Sequence, residues 1–386
     1  MTSLTSPPPA SAPPRPRAPV PPFTPAHEVL RAEIRAFVLD RLRPHADAWE
    51  QAGSFPDEAF RWLADAGYLG LMFPQRYGGG GDIVAAAVLV EEMARCGSGG
   101  VAAGLGAHAG IALPPILRFG TEDQHRRFLV PGLRGKRIAA LAITEPGAGS
   151  DVASIRTRAR RVPDGFVLGG AKTFITGGVR ADILVTAVVT SPEGGHHGIS
   201  FVIVERGPGV RSSPLRKLGW HASDTAEIAF DDVFVPEENL LGPENGGFAL
   251  IMANFQWERL LMALGAVGAM QVCFEQTVAM VSGRTGRSEA VRHRLAEIAT
   301  EIEAGRAVTY AALRRHVAGQ DAVREVTIAK LRTQRAAVDA IDACLEIHGL
   351  DAPPELERAL RDARLGPIGG GTDEIMKEIL GRSLGL

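Results

Sequence analysis

Glu258 stands where a carboxylate is expensive. The stretch Phe248–Phe274 reads FALIMANFQWERLLMALGAVGAMQVCF, and its only charges are the neighbours Glu258 and Arg259. An apolar run of this length forms a buried helix, because strands seldom exceed about 10 residues. A buried carboxylate must be paired, or it takes up a proton more readily than usual. Two readings follow for Glu258. It is a structural acid neutralised by a cation such as Arg259, or a general base poised near neutral pH. A second stretch with chemical capacity is Leu141–Asp151, LAITEPGAGSD. Gly147 and Gly149 free the backbone to wrap a ligand, Thr144 and Ser150 offer hydroxyls, and free N–H groups can receive anionic or carbonyl oxygens. The same string also suits a plain junction loop. His108, in the small-residue run GGVAAGLGAHAG, reads as a hydrogen-bonded core histidine rather than a catalyst. That run lets either another helix or a ligand come close to the backbone. Cys96, Cys273 and Cys344 are too widely spaced for a disulfide framework or a zinc site and suit a reducing, cytoplasmic setting.

The elements that position these residues fall into three blocks. Residues 25–140 carry helical periodicity. HEVLRAEIRAFVLDRLRPHADAWEQA sets Val29, Leu30, Ile34, Phe37, Val38 and Leu42 on one face, Asp57 is a candidate N-cap, and a further helix over Ile83–Cys96 closes at Gly97. YGGGG at Tyr77–Gly81 reads as a flexible turn. Residues 141–245 change period. FVLGGAKTFITGG, DILVTAVVT, GISFVIVER and DTAEIAFDDVFVP are short β-rich runs without intervening helices, which predicts an antiparallel barrel or sandwich. Residues 246–386 return to helix: the Phe248 stretch, Val291–Ala318, Ala322–Ile347 and Gly371–Arg382. The fold class is α+β, in the order helix domain, strand domain, helix domain.

Composition narrows the function classes. The chain has 386 residues and a formal net charge of −2, with no long basic block, so nucleic acid is not implied as a partner. The run Leu260–Phe274 is apolar for only about 15 residues and carries Gln271, so membrane insertion is not expected. Residues 1–24, MTSLTSPPPASAPPRPRAPVPPFT, are too rich in proline and too poor in bulky apolar groups to build a core, which predicts a mobile tail. The five lysines, far outnumbered by arginine, read as a matter of composition.

LAITEPGAGSD closely resembles the flavin and thioester loop of acyl-CoA dehydrogenases. Four further strings resemble that family in the same order: KTFITGG at Lys172–Gly178, LGWHASDTAEIAFDDVFVPEENLL at Leu218–Leu241, ERALRDAR at Glu357–Arg364, and GTDEIMKEILGR at Gly371–Arg382. The resemblance implies an N-terminal α domain, a middle antiparallel β-barrel domain and a C-terminal four-helix bundle. It also implies FAD, an acyl-CoA substrate, a role in fatty acid metabolism, an electron-transfer flavoprotein as acceptor, and a homotetramer or dimer. By similarity, Thr144 and Thr176 bond the isoalloxazine ring, Phe174 lies against it, Ser150 contacts the substrate's nucleotide arm, and Thr372 and Glu374 reach the ribityl or adenosine side of FAD. Arg259 and Arg382 fall near the CoA moiety, each with a plainer alternative: a partner for Glu258, and an exposed arginine in a last helical turn. Arg284 stands where a neighbouring subunit's FAD is reached.

The implied reaction is α,β-dehydrogenation of the thioester to a trans-2-enoyl product. A carboxylate takes the α-proton, the β-hydride goes to flavin N5, and the thioester carbonyl is held by a ribityl hydroxyl and by the backbone N–H of Gly370. Most members place the base immediately before the final Gly-Thr pair. This chain reads Ile368-Gly369-Gly370-Gly371-Thr372 there and lacks that carboxylate. A long-chain and isovaleryl-type minority carries a Glu followed by Arg on the core helix, and QWERLLMA supplies Glu258 and Arg259 at that place. The resemblance therefore turns Glu258 toward the base. Two segments depart from the family: SGRTGRSEAVR at Ser282–Arg292 is short and lacks a Phe, and Glu346–Leu350 puts Glu346 where a Gln is usual, which predicts weaker or altered FAD contacts. Alternative functions keep the fold: a dehydrogenase or oxidase for carrier-protein-bound thioesters, or a catalytically silent subunit.

Overall fold

The computed structural model describes residues 19–192, 194–283 and 288–386. Most of the Pro-rich stretch lies outside them. Its described end is not a free tail: Phe23 is buried edge-on against Tyr310, with ring centroids 4.7 Å apart. Thr24 then caps the helix Pro25–Phe37, accepting from the His27 N–H while the His27 ring bonds back to Thr24 N. Pro25 sits at the first turn, where its missing N–H costs nothing. Asp82 caps Ile83–Met93 by accepting from Val84 N at 2.8 Å and Ala85 N at 3.0 Å. Asp57, expected as a cap, makes no such bond; its carboxylate meets Arg180 at 3.0 Å across to the strand domain. The YGGGG turn, expected to be loose, is hydrogen-bonded, with Gly80 N on Gly70 O at 3.0 Å and Gly81 N on Phe73 O at 2.8 Å.

The middle domain is one eight-stranded sheet: β1 Ala139–Ala142, β2 Arg158–Val162, β3 Gly165–Ile175, β4 Ile183–Val189, β5 Ile199–Glu205, β6 Val210–Pro214, β7 Ala226–Pro236 and β8 Leu240–Leu241. The order is β6-β7-β3-β2-β4-β5-β8, with β1 beside β4. This corrects the expected antiparallel barrel on two counts. The sheet is open, because β6 and β8 do not pair, and β1 and β2 run parallel to β4. Closure is unnecessary because both faces of the inner strands are covered. Every residue of β4 is buried, and alternate residues go to different cores. Ile183, Val185, Ala187 and Val189 join Leu113, Ile116, Phe128 and Ile251 from the helical domains. Leu184 and Val188 join Phe166, Leu168 and Ile228 inside the sheet.

The C-terminal domain is built on three long helices, Gly247–Ser282, Glu289–Val317 and Val323–His348, followed by short helices Pro354–Ala363 and Asp373–Ser383. The core helix Gly247–Ser282 runs 36 residues. It and Gly99–Phe119 are long and apolar enough to cross a membrane by length and composition. Here the core helix is packed by both other long helices and by Ile83–Met93, which is why apolar residues occupy all its sides. The small-residue run is explained by packing within the chain: a Cβ on Gly104 would stand 2.6 Å from Phe55, and one on Gly110 2.7 Å from Leu261. Asp362 fastens the three domains together. Its Oδ1 accepts from Trp220 N at 2.5 Å and its Oδ2 from Gly99 N at 3.0 Å.

Candidate active site

Glu258 lies in the fourth turn of the core helix, on the side turned to the loop between the two final short helices. The residue is half-buried, but Oε2 is sealed from solvent and has no hydrogen-bond partner. Among the described residues it forms no ion pair. Burial pushes its carboxyl up to about 7, against the opposing charges of Arg259 and Lys330. A direct ion pair with Arg259 is not formed among the described residues, although the Arg259 charge opposes the shift. Neighbours on a helix diverge by about 100°. Arg259 instead is buried with Nε unpaired, its guanidinium 5.7 Å from the Phe255 ring centroid.

The loop opposite Glu258 is shaped by two glycines at positive φ, +61° at Gly370 and +93° at Gly371. L-residues with side chains avoid this region at a cost of roughly 1–2 kcal/mol each. A Cβ on residue 370 would lie 3.8 Å from Glu258 Oε1 and 3.4 Å from Met262 Cγ. A side chain at 370 and the side chain at 258 thus converge on one spot, so the empty loop position and the occupied helix position are spatially equivalent. The Gly370 N–H donates to no acceptor among the described residues. Thr372 accepts from Ile375 N at 3.3 Å and caps the final helix. Two residues one turn apart on Val323–His348 brace this corner. Lys330 Nζ donates to Gly371 O, and Gln334 Nε2 donates to Met262 O at 2.6 Å.

The 141–151 loop is held by an ion pair that sequence reasoning missed. Lys172 of β3 is fully buried, and its Nζ bonds Glu145 Oε1 at 2.8 Å and Ile143 O at 2.9 Å. Glu145 also accepts from Arg156 N at 2.6 Å and Thr157 N at 2.9 Å. Burial lowers the lysine to about 8, and the lysine charge holds the Glu145 carboxyl below its ordinary value despite desolvation. The scarcity of lysine was the available signal, since two of the five, Lys172 and Lys330, have no exposed surface. Thr173 N bonds Thr144 O at 2.8 Å, which brings the two predicted flavin strings side by side. Thr144 and Thr176 are half-buried, and neither hydroxyl has a partner among the described residues. Phe174 is 69% exposed at φ +59°, a flat apolar ring presented outward. A recess of about 290 Å³ opens beside Glu145, Gly147, Ser154 and Arg156. Ser150 is exposed on the same loop.

Other predicted residues are placed differently. Arg382 has a side chain 75% exposed and pairs with Glu378 at 2.9 Å, the plainer of its two readings. Glu374 is exposed at the start of the final helix, where its own backbone N–H and the Thr372 hydroxyl hold its carboxyl below the ordinary value. Arg284 lies outside the described residues. Glu346 is exposed, and Arg294, bonded to Glu297, also feels its charge. His108 is a core residue: Nδ1 accepts from Ala139 N at 2.9 Å and Nε2 meets Gly132 O at 3.1 Å, with burial lowering its pKa to about 4.

The acyl-CoA dehydrogenase N-terminal domain family matches residues 24–136, the middle domain family residues 140–233 and the C-terminal domain family residues 245–385. The mitochondrial long-chain specific acyl-CoA dehydrogenase of Sus scrofa is 36% identical over 378 residues, covering 94% of this chain and 87% of that protein. The crystal structure of acyl-CoA dehydrogenase from Geobacillus kaustophilus superposes with a TM-score of 0.91 at 38% identity, covering 95% of this chain and all of that one. The FAD complex of PigA does so with a TM-score of 0.90 at 27% identity, covering 94% of this chain and 98% of that one. With all three domains matched in order, the chain belongs to the acyl-CoA dehydrogenase family.

Proposed function

We propose that this enzyme dehydrogenates an acyl-CoA thioester across its α and β carbons with Glu258 as the base. The observation that carries this is the unpaired, sealed Oε2 of Glu258 beside the unpartnered N–H of Gly370. A carboxylate that burial makes harder to ionise, with no ion-pair partner in contact, holds a proton affinity near neutrality, which suits a base that must take and later release a proton at pH 7. The Gly370 N–H is a fixed donor for the thioester carbonyl as negative charge develops on it. The residues present fit FAD: two threonine hydroxyls without a partner among the described residues, an outward aromatic ring and a recess lie around the 141–151 loop and the end of β3 beside it. FAD, when bound, supplies the acceptor for the β-hydride. The Cα–H proton goes to Glu258, the hydride leaves with the C–H electron pair, and the electrons left at Cα form the new double bond. Thr144, Thr176 and Phe174 hold the ring, and Ser150 and Arg259 serve the CoA arm. An electron-transfer flavoprotein takes the electrons onward.

Purified holoprotein is mixed anaerobically with a panel of acyl-CoAs, and flavin absorbance is followed. Wild type bleaches with at least one chain length. Glu258→Gln keeps its flavin and bleaches roughly 10²–10⁴-fold more slowly. Bleaching by acyl-carrier protein thioesters alone replaces CoA by a carrier as the substrate handle. Near-normal bleaching in Glu258→Gln removes the base assignment.

A further inference from the structure

Lys330 is a buried charge beside the Gly370 turn that the proposed reaction leaves unused. It has no exposed surface, and among the described residues it forms no ion pair. A buried ammonium without a carboxylate in contact is costly, so its single hydrogen bond carries weight. That bond goes to Gly371 O, the carbonyl next to the positive-φ turn at Gly370 and Gly371. Gln334, one turn along the same helix, donates to Met262 O of the core helix. The charged groups around Lys330 come from three elements. Glu258 and Arg259 belong to the core helix, Arg335 to its own helix, and Asp373 and Glu374 to the final helix. Asp373 is bonded to Arg335 at 2.5 Å and so is partly neutralised already.

We propose that Lys330 is a positioning residue for this reaction: its ammonium, held on Gly371 O, fixes the turn that presents the Gly370 N–H and brings a positive charge to the loop facing Glu258. The inference rests on Glu258 being the base. Burial lowers the lysine to about 8, so it is charged over most of the range in which Glu258 ionises. With Lys330 neutral, Arg259 alone opposes the desolvation of Glu258, and the carboxyl binds its proton more tightly.

The test is the pH dependence of flavin bleaching in the holoprotein at saturating acyl-CoA, for wild type, Lys330→Gln and Lys330→Met. The wild-type rate rises with pH through about 7. Lys330→Gln keeps a donor for Gly371 O without the charge. Its rising limb moves to higher pH, the direction expected when an opposing positive charge is removed, and its plateau falls less than that of Lys330→Met. Lys330→Met loses charge and donor. Its limb moves the same way and its plateau falls roughly tenfold or more, because the amide donor is no longer held in place. The infrared band of the protonated Glu258 carboxyl, identified by its loss in Glu258→Gln, shifts its titration in parallel and reads the charge effect without turnover. Unmoved limbs in both variants overturn the proposal. So does failure of both variants to fold or hold flavin, which makes Lys330 a stability residue. A wild type that no thioester bleaches removes the underlying reading instead.

Discussion

Glu258→Gln has a consequence for stability that is independent of catalysis. Burial moves the carboxyl from an ordinary 4.5 to about 7 in the folded chain. A raised carboxylate pKa means that the native state binds the proton more tightly than the unfolded chain. Stability from this group is then fully present below about 4.5 and falls as pH rises toward 7, by 1.36 kcal/mol per unit. The rise from 4.5 to about 7 corresponds to about 3 kcal/mol as an upper figure. Gln does not ionise and escapes this loss. For a chain of 386 residues, an unfolding entropy near 2.1 cal/mol/K per residue gives about 0.8 kcal/mol/K, so 3 kcal/mol is a Tm difference of about 4 °C. Calorimetry of wild type and Glu258→Gln at pH 4.5 and pH 8.5, with flavin loading matched, reads it directly. The variant melts with wild type at the low pH and several degrees higher at the high pH. A difference that does not change with pH refutes the picture of an unpaired, desolvated carboxylate.

Lys172→Met strands Glu145 as a buried charge, a loss of roughly 3–5 kcal/mol; a lower Tm and flavin lost on gel filtration are expected, with part of the Tm regained in Lys172→Met/Glu145→Gln. Because residue 370 points at Glu258, Glu258→Gln/Gly370→Glu recovers a measurable part of the bleaching rate lost in Glu258→Gln. The positive φ at 370 limits that recovery, since it costs a glutamate roughly 1–2 kcal/mol. Bleaching no faster than in Glu258→Gln rejects the spatial equivalence.

Local patterns carried the three-block organisation. The β-rich runs and the uninterrupted apolar helix around Glu258 are encoded by side-chain spacing and formed where spacing placed them, whereas the first helix ends at Phe37 and leaves Val29, set on its apolar face, 61% exposed. Closure of the sheet was not encoded that way. A strand such as β4, buried on both faces, reads the same whether its second face meets helices or the far wall of a barrel. Capping by Asp57 failed for a similar reason: Arg180, distant in sequence, took the carboxylate.

The candidate site divides along the same line. Sequence by itself determined that Glu258 sits in an apolar helix and that the Gly369-Gly370-Gly371-Thr372 loop holds no carboxylate, since both are facts of residue type and order. Only the tertiary structure decided whether Glu258 is paired. It left Oε2 without a partner, formed no ion pair between Glu258 and Arg259 among the described residues, and set residue 370 against the same carboxylate. Lys172 and Lys330 looked like two unremarkable lysines until folding withdrew both from water. A cation's effect depends on its distance and its exposure, and neither quantity exists until helices and strands remote in the chain are packed together.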